Sequence, residues 1–206
     1  MKIYGHPLSS CTRKALIVAA EKAAPLELLP IDVLGGEHKQ PAYLARHPYG
    51  VIPALDDDGF VLIESRAIIR YLDAVLPGAS LTPADPRARA RMDQWMSIDQ
   101  SYIAPKVSTL VVQHIVRPHL GLPAEPEVIA TAQRELGQAL VPIDRALADA
   151  RFLAGAAFSL ADVSLMPYLA AVHLVDAHGV LADLRHVQRW WTEVSARASW
   201  QRVSAH

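Results

Sequence analysis

Three short runs early in the chain carry residue types able to hold and activate a small polar ligand. Tyr49-Gly50-Val51-Ile52-Pro53-Ala54-Leu55 sets an apolar residue, a proline and a strand entry in succession. That order suits a cis X-Pro turn, which would present the backbone N–H and C=O of Ile52 outward as a peptide clamp. Further on, Ile63-Glu64-Ser65-Arg66-Ala67 lies where a strand gives way to an amphipathic helix bearing Ile68, Ile69, Leu72 and Leu76. First-turn amides and the Ser65 hydroxyl there attract a carboxylate. A backbone clamp beside an anion-binding helix start suits a small peptide with a free carboxylate. The third run, Ser9-Ser10-Cys11, stands between the first strand and the first helix. A hydroxyl at such a helix start, donating to a thiol sulfur, lowers a thiol pKa that is ordinarily near about 8.5. The plainer reading makes Ser9 or Ser10 a helix cap. Cys11 at the same place either reacts as a thiolate itself or packs as a small buried residue.

Periodicity supplies the elements that must position these residues. Lys2-Ile3-Tyr4 reads as a strand, Pro7 to Ser10 as a turn, and Thr12 to Lys22 as a helix with Ala15, Leu16, Val18 and Ala19 at helical spacing. Leu26 to Leu29 is a second strand, followed by a short helix over Gln40 to Arg46. Ala54-Leu55 and Phe60-Val61-Leu62-Ile63 flank an Asp58-Gly59 hairpin signal, and Ser65 to Leu76 closes the unit as a helix. The fold class is therefore α/β plus all-α. A thioredoxin-like domain of βαβ–ββα order spans residues 1–77, and a turn-rich linker spans 78–86. A helical bundle domain spans 87–206. Its helices are marked by Met92, Trp95, Met96, Asp99, Ile103 and Val107, all on one long helix, and by Ile129 to Leu147, bent at Pro142. Leu165 to Val172 and Val187 to Val194 mark two more. Ser159-Leu160-Ala161-Asp162 has the form of a capping box, with Phe158 and Val163 at the staple positions, and reads as structural.

Composition narrows the function classes. The chain has 206 residues, 51% hydrophobic and 20% charged, which is globular and long enough for two cores. A formal net charge of −1 argues against nucleic acid as a partner. No apolar run reaches a membrane span, and the Met1-Lys2-Ile3-Tyr4 start reads as strand rather than signal peptide. The single cysteine excludes an internal disulfide and suits a reducing, cytoplasmic setting. Nine histidines are scattered without ligand spacing, so no metal is expected. Arg87, Arg89 and Arg91 read as a solvated helix face.

Taken in order, Tyr4-Gly5-His6-Pro7-Leu8-Ser9-Ser10, Gly36-Glu37-His38-Lys39, His47-Pro48-Tyr49-Gly50-Val51-Ile52-Pro53-Ala54-Leu55, Glu64-Ser65-Arg66-Ala67-Ile68 and Phe158-Ser159-Leu160-Ala161-Asp162 run the length of the chain. Together they resemble the cytosolic glutathione transferases, closest to a bacterial member of the serine-type, phi and theta-like groups. The resemblance implies that Ser9 stabilises the glutathione thiolate, with Ser10 or Cys11 as substitutes and Tyr4 as a rival hydroxyl. It implies that His38 and Lys39 reach the glycine carboxylate, that Ile52, before Pro53, pairs with the cysteinyl backbone, and that Glu64 and Ser65 take the γ-glutamyl amine and carboxylate. Val51 stands where phi members often carry glutamine. Arg13 is a source of positive potential or an exposed helix arginine. The acceptor pocket is expected between the domains, walled by Tyr102, Lys106, Leu110, His114 and Met166, with Leu8 below. The implied protein is a cytoplasmic homodimer with glutathione as co-substrate and a hydrophobic electrophile as partner, serving detoxification. Isomerase, dehalogenase, peroxidase or thiol transferase chemistry on the same fold is the alternative, and a non-catalytic binding protein is another.

Overall fold

Four short strands form a mixed sheet in the order β2-β1-β3-β4. In the computed structural model, which describes residues 1–175 and 177–205, β1 (Lys2–Gly5) pairs parallel with β2 (Glu27–Pro30) and antiparallel with β3 (Ala54–Asp57). The parallel pair needs a crossover, which α1 (Ser10–Glu21) provides. β3 and β4 (Phe60–Ile63) form a hairpin around Asp58 and Gly59, at φ +50 and +92. A two-residue turn matched to strand twist asks for positive φ at both positions. A short 3-10 turn (Glu37–Lys39) and α2 (Pro41–Leu44) precede β3, and α3 (Ser65–Val75) follows β4. The expected βαβ–ββα order is present. Ile3, Ile17, Val18, Leu55, Ile68, Ile69 and Leu72 are fully buried and form the core beneath the helices.

The chain divides into two compact units at places other than those read from the sequence. The first comprises Met1–Thr82 together with the segment from Arg197 onward, and the second Pro83–Ala196. The stretch expected to be a linker is pinned to α3 through Thr82. Asp73, buried on α3, accepts from the Leu81 amide at 2.8 Å, the Thr82 hydroxyl at 2.7 Å and the Ser80 hydroxyl at 3.2 Å. Lys22 neutralises it at 2.7 Å. The C-terminal helix α10 (Ala198–Ser204) has no counterpart in the sequence reading, which gave its residues to the helical domain. It packs along α1, where the Arg197 guanidinium meets both carboxylate oxygens of Glu21 at 2.8 and 2.7 Å.

The second unit is helical. The single long helix of the sequence reading is α4 (Pro86–Ile98), α5 (Ala104–Val111) and a last turn α6 (Arg117–His119), joined by π-helical segments at Asp99–Ile103 and Val112–Val116. Each π segment comes just before a proline, Pro105 or Pro118. Proline lacks the donor for the carbonyl four residues back and its ring collides with that carbonyl, so a widened turn lets the helix continue. α7 (Pro126–Ala148) runs through Pro142, and α9 (Arg185–Ser195) buries Val187, Trp190 and Val194. α8 (Leu160–Leu174) is buried on nearly every side, as a helix without a polar face must be. Its start is a capping box: Ala161 N–H donates to Ser159 Oγ at 3.3 Å and Ser159 N–H to the Asp162 carboxylate at 2.9 Å. The Leu153 amide at 3.0 Å and the Trp190 indole N–H at 2.8 Å complete the shell around Asp162.

Candidate active site

Strand register brings the three early runs to one end of the sheet. Tyr4 lies opposite Ala54, and Ala54 opposite Ile63. The loop after β1, the turn before β3 and the residues after β4 therefore leave the sheet on the same side. Ser9, Ile52-Pro53 and Glu64-Ser65 lie on those three segments.

Ser9 is the N-cap of α1, and Ser10 is the first helical residue. Thr12 N–H donates to Ser9 Oγ at 3.3 Å, while Ser9 N–H donates to the His6 carbonyl at 2.9 Å. A hydroxyl that accepts from its helix keeps its own proton to give. The cap and thiol-donor roles are thus compatible in one side chain. No acidic residue occupies the first turn of α1, so the positive end of its dipole is not offset there. Cys11 follows two residues later, in no disulfide and only half-buried. The packing role read from the sequence asked for full burial. Tyr4 lies under the Arg46 guanidinium, 4.5 Å from its ring centroid.

The turn before β3 has a cis Ile52–Pro53 bond. The β1–β3 ladder ends at the Tyr4–Ala54 pair, and among the described residues no turn hydrogen bond engages the Ile52 amide or carbonyl. Tyr43 on α2 donates to the Val51 carbonyl at 2.8 Å. Burial above all pushes the Tyr43 hydroxyl up to about 12, so it stays a donor at every working pH. Val51 turns an apolar side chain outward, 46% exposed, and offers a ligand no side-chain hydrogen bond. Gly50 sits at φ +57, where a Cβ would meet the His38 carbonyl at 2.9 Å. That close approach packs the 3-10 turn bearing His38 and Lys39 against the Ile52 turn. Lys39 Nζ donates to the Tyr49 carbonyl at 3.3 Å. His38 Nδ1 is buried without a hydrogen-bond partner, and burial, aided by the Lys39 charge, lowers its pKa. His47 stacks on Tyr43 at 6.3 Å and is likewise shifted down by burial, against the opposing charge of Glu64.

Glu64 has φ +70 and ψ 106, a region that non-glycine residues rarely occupy. The Glu64 side chain does not cap α3, and Ser65, its first residue, is buried. The sequence reading expects an anion at this helix start and at the Ser65 hydroxyl.

The acceptor residues divide. Tyr102 is 60% exposed, His114 is exposed and Leu8 is 52% exposed. Leu110 and Met166 are fully enclosed in the helical core and present no surface, which corrects their placement as pocket walls. An apolar stripe faces the core first. Lys106 pairs with Glu135 at 2.5 Å, on a cavity of about 380 Å³ that Thr109, Glu127 and Thr131 also line. Among the described residues, no three His, Cys, Asp or Glu side chains gather to hold a metal ion. Sequence reasoning missed Tyr43 and His47, although their i, i+4 spacing was a signal, and it missed the strain at Glu64.

Comparison with known proteins places the fold in a family. Residues 1–74 match the family described as "Glutathione S-transferase, N-terminal domain", and residues 126–192 match "Glutathione S-transferase, C-terminal domain". Glutathione S-transferase 3 of Zea mays is 37% identical over 209 aligned residues, covering 100% of this chain and 93% of that one. The crystal structure of glutathione transferase F7 from Populus trichocarpa superposes with a TM-score of 0.92 at 32% identity, covering 98% of this chain and 97% of that one. A glutathione S-transferase I from mais, in complex with an atrazine glutathione conjugate, superposes with a TM-score of 0.89 at 28% identity, covering 99% and 96%. The chain belongs to the glutathione S-transferase family.

Proposed function

We propose that this protein is a glutathione transferase that joins the glutathione thiolate to electrophilic, hydrophobic small molecules, with Ser9 as the catalytic residue. The observation that carries the reading is the meeting at one sheet end of three complementary groups. These are the Ser9 hydroxyl at an unneutralised helix start, the unpaired Ile52 amide and carbonyl, and the uncapped start of α3. In this reading the cysteinyl backbone pairs with Ile52 beside Pro53 and Val51. The γ-glutamyl carboxylate sits at Ser65, with the amine on the Glu64 carboxylate, and the glycine carboxylate lies against Lys39 and His38. The thiol releases its proton to solvent, and the Ser9 hydroxyl donates to the sulfur that remains. The thiolate then attacks the electrophilic carbon. A C–S bond forms and the displaced group leaves with the bonding electron pair, while binding both reactants side by side removes much of the entropic cost.

Residues 1–77 supply the glutathione site in this reading, and the helical residues supply acceptor contacts, for which exposed Tyr102 and His114 remain once buried Leu110 and Met166 are set aside. Leu8 is the candidate from the first unit. A detoxifying homodimer in the cytoplasm is part of the same proposal. Phe60 and Val61 leave apolar side chains exposed on the edge strand β4, and Tyr49 and Val51 are exposed in the same unit. Among the described residues, no helix is long and apolar enough to cross a membrane. The test adds glutathione to the protein at neutral pH and follows thiolate absorbance, then supplies a chlorodinitrobenzene. A thiolate signal and a coloured conjugate are the expected outcome; binding with neither would leave a non-catalytic binding protein.

A further inference from the structure

We propose that Arg13 and Trp200 are positioning residues for Ser9, holding the Pro7–Ser9 segment so that the serine hydroxyl faces the bound thiol. The proposal rests on Ser9 being the thiolate donor. Arg13 Nε donates to the Pro7 carbonyl at 2.7 Å. Ser9 N–H donates to the His6 carbonyl, Leu8 N–H to the His6 ring and Thr12 N–H to Ser9 Oγ. The Arg13 backbone N–H donates to the Ser9 carbonyl at 2.9 Å, and the Arg13 side chain adds its hold on the Pro7 carbonyl from the helix. The same guanidinium lies over the Trp200 ring, 5.6 Å from its centroid. One guanidinium thus holds a carbonyl and sits over a ring at once, which its planar, delocalised charge suits better than the point charge of an ammonium.

Trp200 is itself fixed. It is buried on α10, and the start of that helix is bolted to the end of α1 by the two-pronged Arg197–Glu21 pair and by the Ser199 hydroxyl on the same carboxylate. α10 therefore touches α1 at both ends, at Glu21 through Arg197 and at Arg13 through Trp200. The second contact continues through Pro7 to the residue two places further on. The chain's last helix takes part in holding its first catalytic loop.

The experiment measures the pKa of the bound glutathione thiol from its thiolate absorbance against pH, alongside kcat and KM. The variants are Trp200→Phe, Trp200→Ala, Arg13→Lys and Ser9→Ala. Trp200→Phe keeps a ring under the guanidinium and should match the parent. Trp200→Ala and Arg13→Lys should each raise the thiol pKa by about one unit, a tenfold loss of thiolate at low pH, with KM for glutathione changed by no more than about twofold. Combined, they should cost no more than the larger single effect, because they act through one contact chain. If Trp200→Ala aggregates, Arg13→Lys carries the same expectation with the tryptophan in place. Ser9→Ala raising the thiol pKa while Trp200→Ala or Arg13→Lys leaves it unmoved, even with a lowered melting temperature, would overturn the positioning role alone. Ser9→Ala without effect would overturn the Ser9 reading and the positioning role with it.

Discussion

The Tyr43 hydroxyl donates to the Val51 carbonyl at 2.8 Å, tying α2 to the residue just before the Ile52 turn. Ile52 takes no part in the ladder, so its two backbone groups are aimed by their neighbours. Tyr43→Phe removes the tie and leaves the ring stacked on His47. The expected result is a loss of about 1 kcal/mol of stability and a several-fold rise in KM for glutathione, with kcat held. Urea midpoints and initial rates measure both. A fall in kcat at unchanged KM would place the effect on the thiolate instead of the clamp.

Glu64 tests whether backbone strain is kept for binding. At φ +70, glycine is at ease and alanine is not. Glu64→Gly should raise stability by roughly 1 kcal/mol, whereas Glu64→Ala should give no gain, since it keeps the strained backbone. Both remove the carboxylate proposed to hold the γ-glutamyl amine, so both should bind glutathione more weakly. A glycine variant that is stabler and still binds normally would detach the strain from the ligand.

Asp73 gives a prediction with a pH sign. Burial pushes its carboxyl up, but the Leu81 amide, the Lys22 ammonium and the Thr82 hydroxyl outweigh burial, and its pKa lies below the ordinary carboxylate range. The unfolded chain therefore binds the proton more readily than the folded one. The stabilisation is complete above about pH 4 and is lost as pH falls through the lower folded value. Asp73→Asn leaves Lys22 buried without a counter-charge, which should cost about 3–5 kcal/mol near neutrality. The gap between parent and variant should hold from mildly acidic to neutral pH and narrow in strong acid. A gap independent of pH throughout would mean that Asp73 acts by shape alone.

What the sequence disclosed follows the range of the forces involved. The succession of strands and helices in the first unit, the Asp58-Gly59 hairpin and the Ile52-Pro53 turn depend on a few adjacent residues, and each was legible. Ser80 to Thr82 read as free linker because Asp73, which holds them, is on the preceding helix and looks there like any surface acid. α10 went unseen because its reason to form is Glu21 and Arg13, far away in the chain. Leu110 and Met166 were mistaken for pocket walls because helical spacing marks an apolar face without saying what covers it. The π segments were invisible for another reason: Pro105 and Pro118 signal a break, and only the backbone shows that the helix widens and goes on.

Ser9 and Cys11 should separate in the last test. Ser9 accepts from Thr12 N–H and keeps its proton for a ligand, whereas Cys11 is a half-buried thiol on the same first turn. Ser9→Ala should therefore raise the pKa of bound glutathione and cut turnover at neutral pH by about 10²-fold, within the range for losing one donor at a developing charge. Part of that loss should return at alkaline pH, where solvent hydroxide deprotonates the thiol unaided. The variant should also lose about 0.5–2 kcal/mol of stability, because the same oxygen caps α1. Cys11→Ala should leave conjugation within about twofold of the parent, since in this mechanism the nucleophilic sulfur belongs to glutathione. The opposite pattern has its own signature. An inactive Cys11→Ala, with a glutathione mixed disulfide found on Cys11 of the parent by mass spectrometry, would make the protein a cysteine-dependent thiol transferase. Ser9 would then keep only its cap.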